Sequence, residues 1–125
     1  MIPEQILSSI EELKLHYRVD EIHEGNPIII VIKNFPLPTG FKIEKTDLLL
    51  KIPISFPNGK PDMFWVNPDA IPKAKKLPFT PQIEANLGRQ WLRYSWHLQK
   101  WNPNHDNLFT FIEFIESGLK KVNGT

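Results

Sequence analysis

Cysteine is absent from this 125-residue chain. That absence excludes disulfides, thiolate metal ligands and cysteine nucleophiles together, and it fits a cytoplasmic protein. An excess of charge is missing too. Fifteen Lys and Arg face 14 Asp and Glu, so no broad field of either sign is available to hold a nucleic-acid backbone or an anionic membrane surface. Long apolar runs are also lacking. The longest, IIIVI at 28–32, falls far short of the roughly 20 residues needed to cross a bilayer. No basic stretch followed by a long apolar one opens the chain. These absences imply one soluble domain over residues 1–125, with no nucleic-acid and no membrane partner.

The chain is instead rich in proline, with 12 residues, and it carries eight Phe and four Trp. Residues 3–15 place Ile6, Leu7, Ile10 and Leu13 at helical spacing, with Tyr17 just beyond and Pro3 at the first turn, which predicts an amphipathic helix. RVDEIH predicts a short strand, and the β-branched run IIIVIKNF a buried one bounded by Pro27 and Pro36. In DLLLKIPISFP, Leu48, Leu50, Ile52, Ile54 and Phe56 fall on one face and Asp47, Lys51 and Ser55 on the other. This is period-two alternation with Leu49 as the exception, and Pro53 implies an edge position or a bulge. DMFWVNP starts a further short strand.

From Pro68 to Gly88 four prolines, at 68, 72, 78 and 81, deny regular structure and predict a long loop tethered by Ile71, Leu77, Phe79, Ile83 and Leu87. DNLFTFIEFIESGLKKV then closes the chain as a helix, with Asp106 expected at its N-cap and two lysines at the favourable C-terminal end of the dipole. The fold class expected is α+β: an N-terminal helix, an antiparallel meander of about four strands, a long proline-rich loop and a C-terminal helix.

The chemistry-bearing residues concentrate in WLRYSWHLQKWNPNHD, residues 91–106. Acyl transfer needs a nucleophile and a base, and Ser95 and His97 supply that pair of residue types within one short segment. In an extended backbone their side chains point the same way, and the bland alternative is a pair of satisfied polar residues in an aromatic cluster. His97, His105 and Asp106 are the residue types that hold zinc or iron, but the spacing of the histidines matches no ligand pattern. Asp106 is already accounted for as a cap, so neither metal nor cofactor is expected. Trp96, Trp101 and His105 are candidate binding residues, since tryptophan anchors interfaces. Tryptophan also fills small cores, and two or three of Trp65, Trp91, Trp96 and Trp101 are expected there.

This order of elements is similar to the ubiquitin-conjugating enzyme fold. LKIPISFPNGKPDMFWVNP matches that family's turn of a hydrophobic residue, Phe-Pro and a later Pro, and WNPNHDNLFTFIEFI resembles its Trp-X-Pro followed by a helix. More narrowly, YSWHLQKW followed by NPNHDNL resembles the bacterial ubiquitin-conjugating-like proteins called prokaryotic family E. The resemblance implies a place in a ubiquitin-like conjugation pathway, beside a ubiquitin-like protein, a ThiF-like activating enzyme and in some cases an isopeptidase of the JAB type. It also implies that the first helix and nearby loops dock the activating enzyme.

The departures are equally clear. Where the family carries its thioester cysteine, shortly before the Trp-X-Pro, this chain has Arg93 or, with a gap, Trp91. The family's His-Pro-Asn motif is missing upstream. What remains is receipt or positioning of an activated ubiquitin-like C-terminus without a cysteine thioester, with Ser95 and His97 as the candidate pair. The alternatives are a non-catalytic scaffold for the ubiquitin-like protein or activating enzyme, and an unrelated small binding domain.

Overall fold

The apolar spacings read from the sequence become two helices laid on one face of an antiparallel sheet. The computed structural model describes residues 2–73, 77 and 82–122. Along the chain these are α1 (Glu4–Leu13), β1 (Arg18–His23), β2 (Ile28–Pro36), β3 (Lys45–Ile52), β4 (Phe64–Val66), β5 (Gln82–Asn86), β6 (Arg89–Tyr94) and α2 (Leu108–Val122). The sheet order is β1-β2-β3-β4-β6-β5, antiparallel throughout. The α+β expectation holds, but with six strands among the described residues.

The main core lies between sheet and helices. Ile6, Ile10 and Leu13 of α1 meet Ile28, Ile30, Ile32, Leu48, Leu50 and Ile52 of the sheet, and Phe111, Ile112, Ile115 and Leu119 of α2. Alternation in β2 and β3 produces this face directly: every second side chain turns to the helices. The exception noted in the sequence, Leu49, has its reason on the opposite face. There Leu49, Val31, Trp65 and Trp91 form a second, smaller cluster, each at most 3% exposed.

Cations and polar side chains roof the second cluster. Lys51 Nζ stands 4.4 Å from the Trp65 ring centroid, and the Arg89 guanidinium lies 3.8 Å over Trp91. Arg89 also pairs with Asp47 at 3.0 Å and donates to Asn67 Oδ1 at 2.8 Å, while Lys33 meets the same Asp47 carboxylate at 3.1 Å. The IIIVI run is therefore apolar on both faces because both faces are covered.

Three expectations need correction. β3 stops at Ile52; Pro53 opens a turn closed by the Phe56 N–H on the Pro53 carbonyl at 2.9 Å, leaving Ile54 48% exposed while Phe56 is buried. Proline cannot donate to the ladder, so the alternation beyond it is chance. The expected loop over 68–88 is interrupted: its last part is β5 and the start of a hairpin, joined to β6 by Leu87 and Gly88. Residues 74–76 and 78–81 of that loop, Phe79 among them, lie outside the described residues. Finally, α2 is capped by Asn107, whose Oδ1 accepts from the Thr110 N–H at 3.0 Å; Asp106 instead accepts from the Asn102 N–H at 2.6 Å and closes the preceding turn.

Among the described residues no helix is long and apolar enough to cross a membrane.

Candidate functional site

After β6 the chain leaves the sheet and crosses toward α2 as an irregular segment over residues 95–101. The turn between β3 and β4 holds this segment at three points. His97 Nδ1 lies 2.7 Å from Asp62 Oδ1, the Lys60 ammonium donates to the Leu98 carbonyl, and Trp101 Nε1 donates to the Pro57 carbonyl at 2.7 Å. The Phe-Pro turn and the Trp-X-Pro element, distant in sequence, thus meet in space.

Trp96 fixes the other side. Its ring packs edge-on to Phe64 and Tyr94, with centroids 5.6 and 5.1 Å away, and its far edge lies against Gly118 of α2. A Cβ at residue 118 would meet Trp96 Cζ3 at 2.6 Å, closer than atoms can pack, so only glycine admits the ring there. Between this segment and α2 runs an open groove of about 330 Å³ lined by Ser95, Trp96, His97, Phe114, Ser117, Gly118 and Lys121. Its walls are aromatic, its rim carries two hydroxyls and an imidazole, and Lys121 brings the one formal cation among these residues.

Ser95 and His97 line the same groove, but each has its own partner. Ser95 Oγ accepts from Arg93 Nε at 3.1 Å. The same guanidinium donates through Nη2 to Gln82 at 2.8 Å and through Nη1 to Glu84, whose other oxygen accepts from Trp65 Nε1 at 2.9 Å. Arg93 is thereby a strut of the sheet's outer face. A carboxylate can only accept, so Asp62 places the His97 proton on Nδ1 and leaves Nε2 as the basic nitrogen of the neutral ring.

The remaining candidates sit nearby. Trp101 is half-buried against Phe56, their centroids 6.1 Å apart. His105 is exposed on the turn before α2, where its N–H donates to the Asn102 carbonyl at 3.0 Å. Trp65 and Trp91 are core, and Trp96 and Trp101 are half-buried. Among the described residues no three His, Asp or Glu converge as a metal site requires. Asp62 is the site residue that sequence reasoning missed. It lies 35 positions from His97, and only the register that joins β4 to β6 brings the two together.

The family model described as Prokaryotic E2 family E matches residues 6–122, including every residue of the groove. The chain belongs to that family. No curated protein and no solved structure matches it. Membership gives this E2-like protein a role in a prokaryotic ubiquitin-like conjugation pathway, and it makes the absence of cysteine a departure within a conjugating fold.

Proposed function

We propose that this cysteine-free E2-like protein positions the C-terminal tail of a ubiquitin-like protein without carrying it covalently, in company with a ThiF-like activating enzyme. One observation supports this above others: the hydroxyl and the imidazole that acyl transfer needs are held by different partners, Ser95 by Arg93 and His97 by Asp62. A serine lone pair occupied by a guanidinium N–H is a poor nucleophile, and no Ser–His hydrogen bond is present to activate it. The groove between residues 95–97 and α2 is lined by Trp96 and Phe114 and includes Lys121. It suits an extended chain with small side chains whose carboxylate meets the lysine. Ser95, Trp96 and His97 then act as positioning contacts, and Trp101 and His105 extend the surface toward the start of α2.

A second reading has its own support. His97 with Asp62 has the arrangement of a base and its orienting carboxylate, and Ser95 borders the same groove, although it is not hydrogen-bonded to the imidazole. Ser95 is then an oxyester carrier.

Intact mass spectrometry after incubation with a ThiF-like activating enzyme and a ubiquitin-like protein from the same organism, plus ATP, separates the two. Positioning predicts no mass gain, together with co-migration of the partners on a sizing column and weaker binding in Lys121→Glu. A gain equal to the ubiquitin-like protein less water, lost in mild base and absent in Ser95→Ala, establishes the carrier instead. Neither gain nor co-migration removes both readings.

A further inference from the structure

The two edges of the sheet are built differently. β1 is guarded in the usual way: its register shifts between Val19 and Glu21, and Arg18, Asp20 and Glu21 put charge along it. β5 has neither device. It pairs with β6 in unbroken register, and its single charge, Glu84, is consumed by Arg93 and Trp65.

Hairpin geometry determines which of its backbone groups are free. A two-residue turn at Leu87 and Gly88 makes Asn86 and Arg89 a hydrogen-bonded pair. The alternation of an antiparallel ladder then points the N–H and C=O of residues 82, 84 and 86 toward β6, and those of Ile83 and Ala85 outward. Among the described residues no strand pairs with that outer edge. Two of the chain's exposed large apolar side chains lie beside it, Ile83 at 50% and Leu87 at 38% exposure.

We propose that this edge pairs with the same edge of a second copy, joining two sheets about a two-fold axis through Ala85. Outward-facing residues must pair with outward-facing residues, which leaves three symmetric registers. Centring on Glu84 sets like carboxylates face to face, which is unfavourable. Centring on Ile83 asks residue 81, a proline with no N–H, to pair with Ala85. Centring on Ala85 lets the two alanines exchange both hydrogen bonds, sets Glu84 opposite Asn86, and brings Ile83 of each copy beside Leu87 of the other. This register opposes no like charges and covers the apolar side chains that the monomer leaves in water. With a strand of five residues the contact is short, so the dimer is weak and concentration-dependent.

The lack of native cysteine makes the test direct. Hydrogen-bonded antiparallel pairs hold their Cα atoms about 5.5 Å apart, inside the disulfide range of roughly 4.4–6.8 Å. Single cysteines are placed at Ala85, Glu84 and Ile83, and at Ser8 on the exposed side of α1 as a reference, and oxidised at several protein concentrations. Fastest dimer formation by Ala85→Cys is expected. Sedimentation of the cysteine-free chain is expected to show a dimer that rises with concentration and is lost in both Ile83→Lys and Ala85→Pro. Ala85 turns its N–H away from β6, so the proline leaves the hairpin's own bonds intact, and an unchanged circular dichroism spectrum checks this. A monomer at every concentration, or Ala85→Cys oxidising no faster than Ser8→Cys, overturns the proposal. Fastest oxidation at position 83 or 84 also overturns it, since the two-fold then lies elsewhere.

Discussion

Gly118 sits inside α2, where glycine ordinarily costs about 1 kcal/mol relative to alanine. The Gly118→Ala variant should nevertheless lower stability, because the new methyl has to displace the Trp96 ring, and overpacking of this kind costs about 1–3 kcal/mol. A fall in the denaturant midpoint is the expected outcome, with the m-value unchanged; a rise would mean that Trp96 does not rest on the helix. The sequence carries a glycine and a tryptophan more than 20 positions apart and no sign that one exists for the other. The same is true of Asp62 and His97. Asp106 and Asn107 illustrate a different ambiguity: both are good capping residues in adjacent positions, and which one caps depends on whether the Asn102 turn has already claimed Asp106.

Among the elements, the β5–β6 hairpin is where local pattern and observed structure part. Proline-rich surroundings argue for a loop, and the usual Asn-Gly or Asp-Gly turn is replaced by Leu87 and Gly88, both left-handed, with φ of 54° and 76°. Alternation does not expose the strands either, since Trp91 is buried on the outer face and Leu92 and Tyr94 on the inner. The turn yields a paired prediction. A Cβ at Gly88 meets nothing within 4 Å, so Gly88→Ala should lose only the conformational cost of the left-handed region, about 1 kcal/mol. Leu87→Asn should recover a similar amount, since asparagine tolerates that region. Chemical denaturation of both variants tests the pair; equal effects of one sign would contradict the turn geometry. The helices and β3 were far more legible, because apart from Leu49 each carries its apolar residues on a face that one period describes, and β2 was legible as a short β-branched run between prolines.

At the scale of the whole molecule, the chain's two tyrosines tie together segments that are far apart in sequence. Tyr17, just past α1, donates to Glu116 of α2 at 3.1 Å, and Tyr94 of β6 donates to the Ala70 carbonyl at 2.7 Å. Burial, followed by the nearby Glu116 carboxylate, pushes Tyr17 up to about 12. Burial alone pushes Tyr94 well above the usual tyrosine range. In both cases the fold favours the neutral phenol. The resulting stability is therefore complete below the ordinary tyrosine value near 10 and is lost as pH rises through the folded values. Spectrophotometric titration should show little phenolate near pH 10, then ionisation and loss of helical dichroism together at about pH 12 or above. In Tyr17→Phe the steep alkaline transition should remain, carried by Tyr94. Early ionisation of a full tyrosine equivalent with the fold intact would contradict this account.

Reading along the chain was enough for the α+β class, the two amphipathic helices, the core-facing alternation of β3 as far as Ile52 and the impossibility of a cysteine thioester. All of these follow from periodicity and composition, which are properties of neighbours along the chain. Tertiary structure decided what depends on neighbours across the sheet. It recruited the hairpin as strands five and six, spent Arg93 on Glu84, Gln82 and Ser95, and gave His97 to Asp62. Hydrogen bonds and ring contacts are satisfied by whatever packing brings within a few ångströms, and for residues 20 or 35 positions apart only the assembled register sets that distance.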